Sequence, residues 1–104
     1  MAIQSATPET FDELTKEGFV IADFFSSTCV PCKMLSQVLE DIEAELPFVN
    51  IVKVNTTDYP EFNDRFRIRA VPTILFYQNG EQKEKHIGMM APEELKEKIK
   101  NYLY

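Results

Sequence analysis

Ser27-Thr28-Cys29-Val30-Pro31-Cys32-Lys33 holds both cysteines of the chain, spaced Cys-x-x-Cys, at the join of two strongly patterned segments. Upstream, Phe19-Val20-Ile21-Ala22-Asp23-Phe24-Phe25 is an apolar, aromatic-rich run suited to a buried strand. Downstream, Met34, Leu35, Val38, Leu39, Ile42 and Leu46 recur at three- and four-residue steps, the signature of one helix face. Cys29 therefore falls where a strand ends and a helix begins. Pro31 sits just inside the helix start, where its missing N–H costs nothing. Cys32 lies in the first turn, three residues on, with its side chain able to meet that of Cys29. The free N–H groups and positive end of the helix favour a thiolate at Cys29 over a thiol. An exposed thiol at a helix start, backed by a second thiol one turn behind, is a redox device.

Other uses of two cysteines compete with that one. A structural zinc site needs four ligands, whereas the chain offers two cysteines and a lone His86, with no second Cys-x-x-Cys. A purely structural disulfide would close a very short loop and remove little unfolded-state entropy. Two inert buried thiols remain the third alternative, but helix starts are where cysteines become reactive. Redox chemistry is the stronger expectation, with no metal and no bound cofactor.

At 104 residues the chain is long enough for one real core, so a single domain over residues 1–104 is expected. Hydrophobic residues make up 44% and charged residues 27%, as in an ordinary globular chain and unlike a disordered one. The net charge of −6 argues against nucleic acid and anionic membranes as partners, since their phosphates repel an acidic surface. No apolar stretch approaches the length of a membrane span. Met1-Ala2-Ile3-Gln4-Ser5-Ala6-Thr7-Pro8 has no basic residue and no apolar run, so no secretory signal is visible. Two cysteines in a reactive spacing fit a reducing compartment, and a cytoplasmic location is expected.

Along the chain, Ile3 opens a short candidate edge strand. Thr7-Pro8-Glu9 predicts a helix start with Thr7 as N-cap, Phe11 and Leu14 on its apolar side and Gly18 at its end. The strand Phe19–Phe25 follows, then a helix from about Pro31 to Leu46. Phe48 to Val54 predicts a second β-branched strand, Asn55-Thr56-Thr57-Asp58 a turn, and Pro60 a short helix through Phe62 and Phe66. Thr73 to Tyr77 is a third core strand, Asn79-Gly80 the strongest hairpin signal, and Gln82 to Ile87 its antiparallel return before Gly88. A last helix starts at Pro92, with Leu95, Ile99, Tyr102 and Leu103 on one face. The order β-α-β-α-β-α-β-β-α predicts an α/β fold with one mixed sheet and helices on both faces. Unalternated apolar runs such as Phe19–Phe25 belong in its covered centre.

Taken together, Asp23, Cys29-Val30-Pro31-Cys32-Lys33-Met34, Lys53, Val71-Pro72-Thr73, Asn79-Gly80 and Gly88 resemble the thioredoxin family from end to end. The resemblance implies a thioredoxin fold, a four- or five-stranded mixed sheet flanked by four helices. It also implies a thiol–disulfide oxidoreductase that reduces protein disulfides through a Cys29–Cys32 dithiol–disulfide cycle and is recharged by a thioredoxin reductase of unspecified type. Such a carrier works as a monomer. Cys29 resembles the attacking thiolate and Cys32 the thiol that resolves the mixed disulfide. A binding module that docks one partner without turnover is the alternative within the same fold.

Asp23 stands out even without a family. A carboxyl among apolar neighbours in a buried strand is costly, and desolvation raises its pKa. Pointing to solvent at a strand end is the alternative. The resemblance places Asp23 beneath Cys32 as proton acceptor, with Lys53 nearby; an ordinary surface lysine is the alternative for Lys53. Pro72 resembles the family's cis-proline, beside which the Val71 backbone pairs with an extended substrate. A trans proline at a strand entry fits the local sequence equally well. Thr28, Val30, Pro31, Val71, Pro72, Gly88 and Met89 would line the apolar substrate groove.

Four positions depart from the family pattern. Thr28 stands where Trp usually precedes the first cysteine, and Val30 where Gly usually follows it. Gln37 lies where a mid-helix proline is usual, which predicts a straighter helix. Ala91 takes the place of a capping hydroxyl at the last helix, a loss typically worth ~1 kcal/mol.

Overall fold

The computed structural model describes residues 3–103; Met1, Ala2 and Tyr104, which the single-domain expectation also takes in, lie outside the described residues. Its elements are β1 (Ile3–Ser5), α1 (Phe11–Thr15), β2 (Phe19–Phe25), α2 (Val30–Glu45), β3 (Asn50–Asn55), α3 (Glu61–Phe66), β4 (Thr73–Gln78), β5 (Glu81–Ile87) and α4 (Pro92–Leu103). The five strands form one sheet in the order β1-β3-β2-β4-β5. The most apolar segment, β2, takes the centre, parallel to β3 and antiparallel to β4. The short β1 lies on the edge, parallel to β3.

Because strand side chains alternate, β2 feeds two separate cores. Val20, Ala22 and Phe24 turn toward α1 and α3, where they pack with Phe11, Phe62, Val52, Val54 and Leu75. Phe19 and Ile21 turn toward α2 and α4, against Leu35, Leu39, Ile42, Leu95 and Ile99. The three-and-four spacing of α2 thus buries one stripe against the sheet. By the same alternation Asp23 falls on the α2 face, opposite Lys53 of β3 and Ile74 of β4 in register.

Asn79 and Gly80 both adopt positive φ, 52° and 84°, as a two-residue hairpin turn requires. The turn is tied to the start of β2, with the Asn79 N–H donating to the Gly18 carbonyl at 2.9 Å. The Gly18 N–H donates in return to Asn79 Oδ1 at 3.1 Å.

Some boundaries differ from expectation. Thr7 does not cap α1: its carbonyl accepts from Thr10 and Phe11, closing a turn over residues 8–10, and the helix proper starts at Phe11 with Thr10 as N-cap. Gly18 lies beyond the helix end at Thr15 and serves the hairpin contact instead. Strand β3 begins at Asn50 instead of Phe48, a residue 53% exposed. At α4 the Ala91 carbonyl accepts from the Leu95 N–H at 3.0 Å, so Ala91 supplies the backbone of a cap without a side-chain acceptor. Helix α2 continues unbroken through Gln37.

Candidate active site

Cys29 is the N-cap of α2, with extended backbone (φ −88°, ψ 111°), and Pro31 stands in the first helical turn. The apolar strand β2 delivers the chain to this point, and the helix carries it away. Cys29 and Cys32 are joined by a disulfide with their Cα atoms 5.2 Å apart, so the structure is that of the oxidised chain. The two sulfurs are placed unequally. Cys29 is partly exposed, whereas Cys32 is 3% exposed beneath the helix start. The Cys32 N–H points at Cys29 Sγ from 3.1 Å, an orphan donor of the first turn aimed where a thiolate would form.

The loop ahead of Cys29 is held by the turn after β3. Ser27 N–H donates to Thr57 Oγ1 at 3.0 Å, Asn55 Nδ2 donates to Ser27 Oγ at 3.4 Å, and Thr56 Oγ1 donates to the Phe25 carbonyl at 2.9 Å. Sequence reasoning took residues 55–58 only as a turn and missed this supporting role. The Asn and Thr cluster was its signal.

Across from Cys29 stands the segment before β4. The Val71–Pro72 bond is cis, and the Val71 carbonyl oxygen lies 3.7 Å from Cys29 Sγ. Pro72 is buried and Val71 partly exposed. The Gly88 N–H donates to the Pro72 carbonyl at 2.8 Å, and Gly88 holds φ 95°, a conformation side-chain-bearing residues rarely adopt. Cys29, Cys32, Val71, Pro72 and Gly88 are therefore brought together. Thr28, Val30 and Pro31 are exposed on the rim, and Met89 is partly buried beside Gly88. Val30 and Met34 expose 64% and 59% of their surface and sit one turn apart on α2, an apolar margin to the disulfide.

Asp23 is wholly buried, and neither carboxylate oxygen has a hydrogen-bond partner among the described residues. Burial is the main cause that pushes its pKa up to about 7; the positive charge of Lys53 pulls the other way. The solvent-facing alternative for Asp23 is excluded. Lys53 is partly buried with its ammonium 5.0 Å from the centre of the Phe25 ring. That ammonium is hydrogen-bonded to Ser36 Oγ of α2, not to Asp23. Ser36 was not singled out from sequence; it lies one helical turn beyond Cys32, on the side facing β3. A cleft of about 120 Å³ opens beside Cys32, with Phe25, Ser36 and Lys53 among its walls.

A strand that ends in a disulfide at a helix start, facing a cis-proline segment on a mixed five-stranded sheet with four helices, defines a thiol–disulfide oxidoreductase of the thioredoxin fold. The thioredoxin family model matches residues 2–101. The chain is 36% identical over 104 residues to the thioredoxin of Bacillus subtilis (strain 168), covering 99% of this chain and 100% of that one. It is 37% identical over 102 residues to that of Listeria monocytogenes, covering 97% and 99%. Among solved structures, the Malassezia sympodialis thioredoxin superposes with a TM-score of 0.82 at 28% identity, covering 96% of this chain and 90% of that one. The chain belongs to the thioredoxin family. It is a thiol–disulfide oxidoreductase, a protein-disulfide reductase that works through its dithiol. Thioredoxins act on disulfide substrates and are recharged by thioredoxin reductase. Among the described residues no helix is long and apolar enough to cross a membrane.

Proposed function

We propose that Cys29 attacks and Cys32 resolves. In the reduced chain the Cys29 thiolate attacks one sulfur of a substrate disulfide. A Cys29–substrate bond forms, the substrate S–S bond breaks, and the first substrate thiolate leaves and takes a proton. Asp23 then accepts the Cys32 proton, and the Cys32 thiolate attacks Cys29 Sγ. The Cys29–Cys32 bond forms, the mixed disulfide breaks, and the second substrate thiolate departs and takes the proton held by Asp23. Two electrons pass from the dithiol to the substrate with two protons, one from Cys32 by way of Asp23 and one from solvent, and a thioredoxin reductase returns the electrons. Lys53 moderates the charge of Asp23.

The observation that carries this assignment is the unequal placement of the two sulfurs, one at the exposed helix start under a backbone N–H and one buried behind it. The substrate lies extended along Val71 and Pro72, with Thr28, Val30, Pro31, Gly88 and Met89 as its apolar margin. The chain acts as a cytoplasmic monomer and a single domain, with its own disulfide as the only redox group.

Turnover of a generic protein disulfide with dithiothreitol as electron source tests the proposal. Multiple turnovers per chain are expected. A folded chain that binds the substrate but releases no reduced product would be a docking module instead.

A further inference from the structure

Two acid–base groups on the α2 face of the sheet stand side by side without joining. Asp23 and Lys53 are register partners on adjacent parallel strands, so their side chains leave the sheet on the same side. A buried carboxylate with no partner among the described residues and an ammonium in the neighbouring strand would ordinarily pair, since the carboxylate is costly alone. Instead the ammonium is drawn outward to Ser36 Oγ, with the Phe25 ring 5.0 Å away. Ser36 and Lys53 together form the wall between two hollows. One is the cleft beside Cys32; the other, of about 250 Å³, is bounded also by Ile51 and Glu40.

We propose that Ser36 is a positioning residue: its hydroxyl anchors the Lys53 ammonium away from the Asp23 carboxyl, and so keeps that carboxyl basic enough to accept the Cys32 proton. The inference rests on Asp23 acting as that acceptor. A lysine ammonium has three donors and no acceptor, so a fixed hydroxyl directs it without changing its charge. With Ser36 removed, the ammonium is free to turn toward the buried Asp23 carboxylate, with the exposed Glu40 of the second hollow as the competing acceptor. A direct ion pair with Asp23 holds its carboxyl ionised and makes it a poorer base.

The other groups around Asp23 leave Lys53 as the charge to control. On α2, Lys33 lines the outer cleft beside Cys32, and Glu40 lines the second hollow with Lys53. The β4 neighbour is Ile74, which cannot titrate, and beyond it His86 of β5 has Nε2 2.9 Å from the Met89 carbonyl. On α4, Lys96 and Lys98 are engaged by Glu45 and Glu84.

The test uses the reduced full-length chain with ¹³C-labelled aspartate, whose carboxyl carbon reports Asp23 titration by NMR. Ser36→Ala should move the Asp23 midpoint down by about one pH unit, the lower end of what a close opposite charge does to a carboxyl. Ser36→Thr, which keeps the hydroxyl, should restore it. In a Lys53→Met background Ser36→Ala should have no effect, because there is no ammonium to redirect. An unchanged or raised midpoint in Ser36→Ala, or a shift that survives Lys53→Met, overturns the proposal.

Release of substrate from a Cys29 mixed disulfide, followed against pH, tests the underlying reading separately. Its rate profile should move to lower pH with the Ser36→Ala midpoint and lose that inflection in Asp23→Asn. A profile unchanged by Asp23→Asn would remove Asp23 as acceptor, while the NMR titration still decides whether Ser36 governs it.

Discussion

Phe24 and Asp23 are neighbours in the central strand, both with no exposed surface, and they face opposite sides of the sheet. On the Phe24 side the core is built of rings: Phe11, Phe24, Phe62 and Phe66 meet with centroids between 4.8 and 6.1 Å apart. These four rings need no hydrogen-bond partner, and burial stabilises them. On the Asp23 side the same strand buries a carboxyl with no hydrogen-bond partner among the described residues. Both faces carry apolar cores that hold the sheet. The second also gives up stability at Asp23, the base of the proposed mechanism.

Cutting into the aromatic face should have the largest effect on stability. Phe62→Ala, at a residue 1% exposed among other rings, should cost about 3–5 kcal/mol of unfolding free energy. The folded fraction should exchange disulfides at the wild-type rate. Denaturant melts with activity normalised to folded protein check both parts. A loss of rate in the folded fraction would mean that the two faces are not separable.

The opposite face should respond in the opposite direction. The folded pKa of Asp23 is about 7, against an unfolded value of about 3.9. Between those values the folded chain keeps a proton that the unfolded chain has lost, so stability falls as pH rises through this window. Below it the carboxyl is protonated in both states and the penalty vanishes. Asp23→Asn should therefore be more stable than wild type by about 4 kcal/mol at pH 8, with the gain shrinking to near zero by pH 4. Melts across that range measure it. Equal stability at every pH would contradict the burial cost assigned to this side.

How much of this contrast could be read in the sequence depends on how local its cause is. The limits of β2, the course of α2 and the Asn79-Gly80 turn were legible because they follow from run length, residue spacing and a two-residue turn chemistry. The buried carboxyl was legible as an anomaly, since Asp23 interrupts an apolar run. The start of α1 was not. Thr7 does offer capping groups, but they close a separate turn, and the Phe11 ring at the centre of the aromatic core fixes where the helix begins.

Local chemistry leaves the isomer of Val71–Pro72 open, and the likeness to a family supplied it. Ser36 was invisible because its role exists only once α2 and β3 are laid side by side, and Thr57, signalled only by the Asn and Thr cluster, has a partner just as remote in sequence. Ser36 meets a lysine 17 residues away, and Thr57 a backbone N–H 30 residues away.

The central claim is that the two sulfurs are not equivalent, and trapping reads it directly. Reduced Cys32→Ser and Cys29→Ser chains are each mixed with a protein disulfide and analysed by intact-mass and peptide mass spectrometry. Cys32→Ser should accumulate a stable mixed disulfide on Cys29, because the attacking thiol is present and the resolving one is gone. Cys29→Ser should form no adduct on the same timescale, since Cys32 is buried and lies behind the helix start. A stable adduct on Cys32, formed as fast as that on Cys29, would contradict the account.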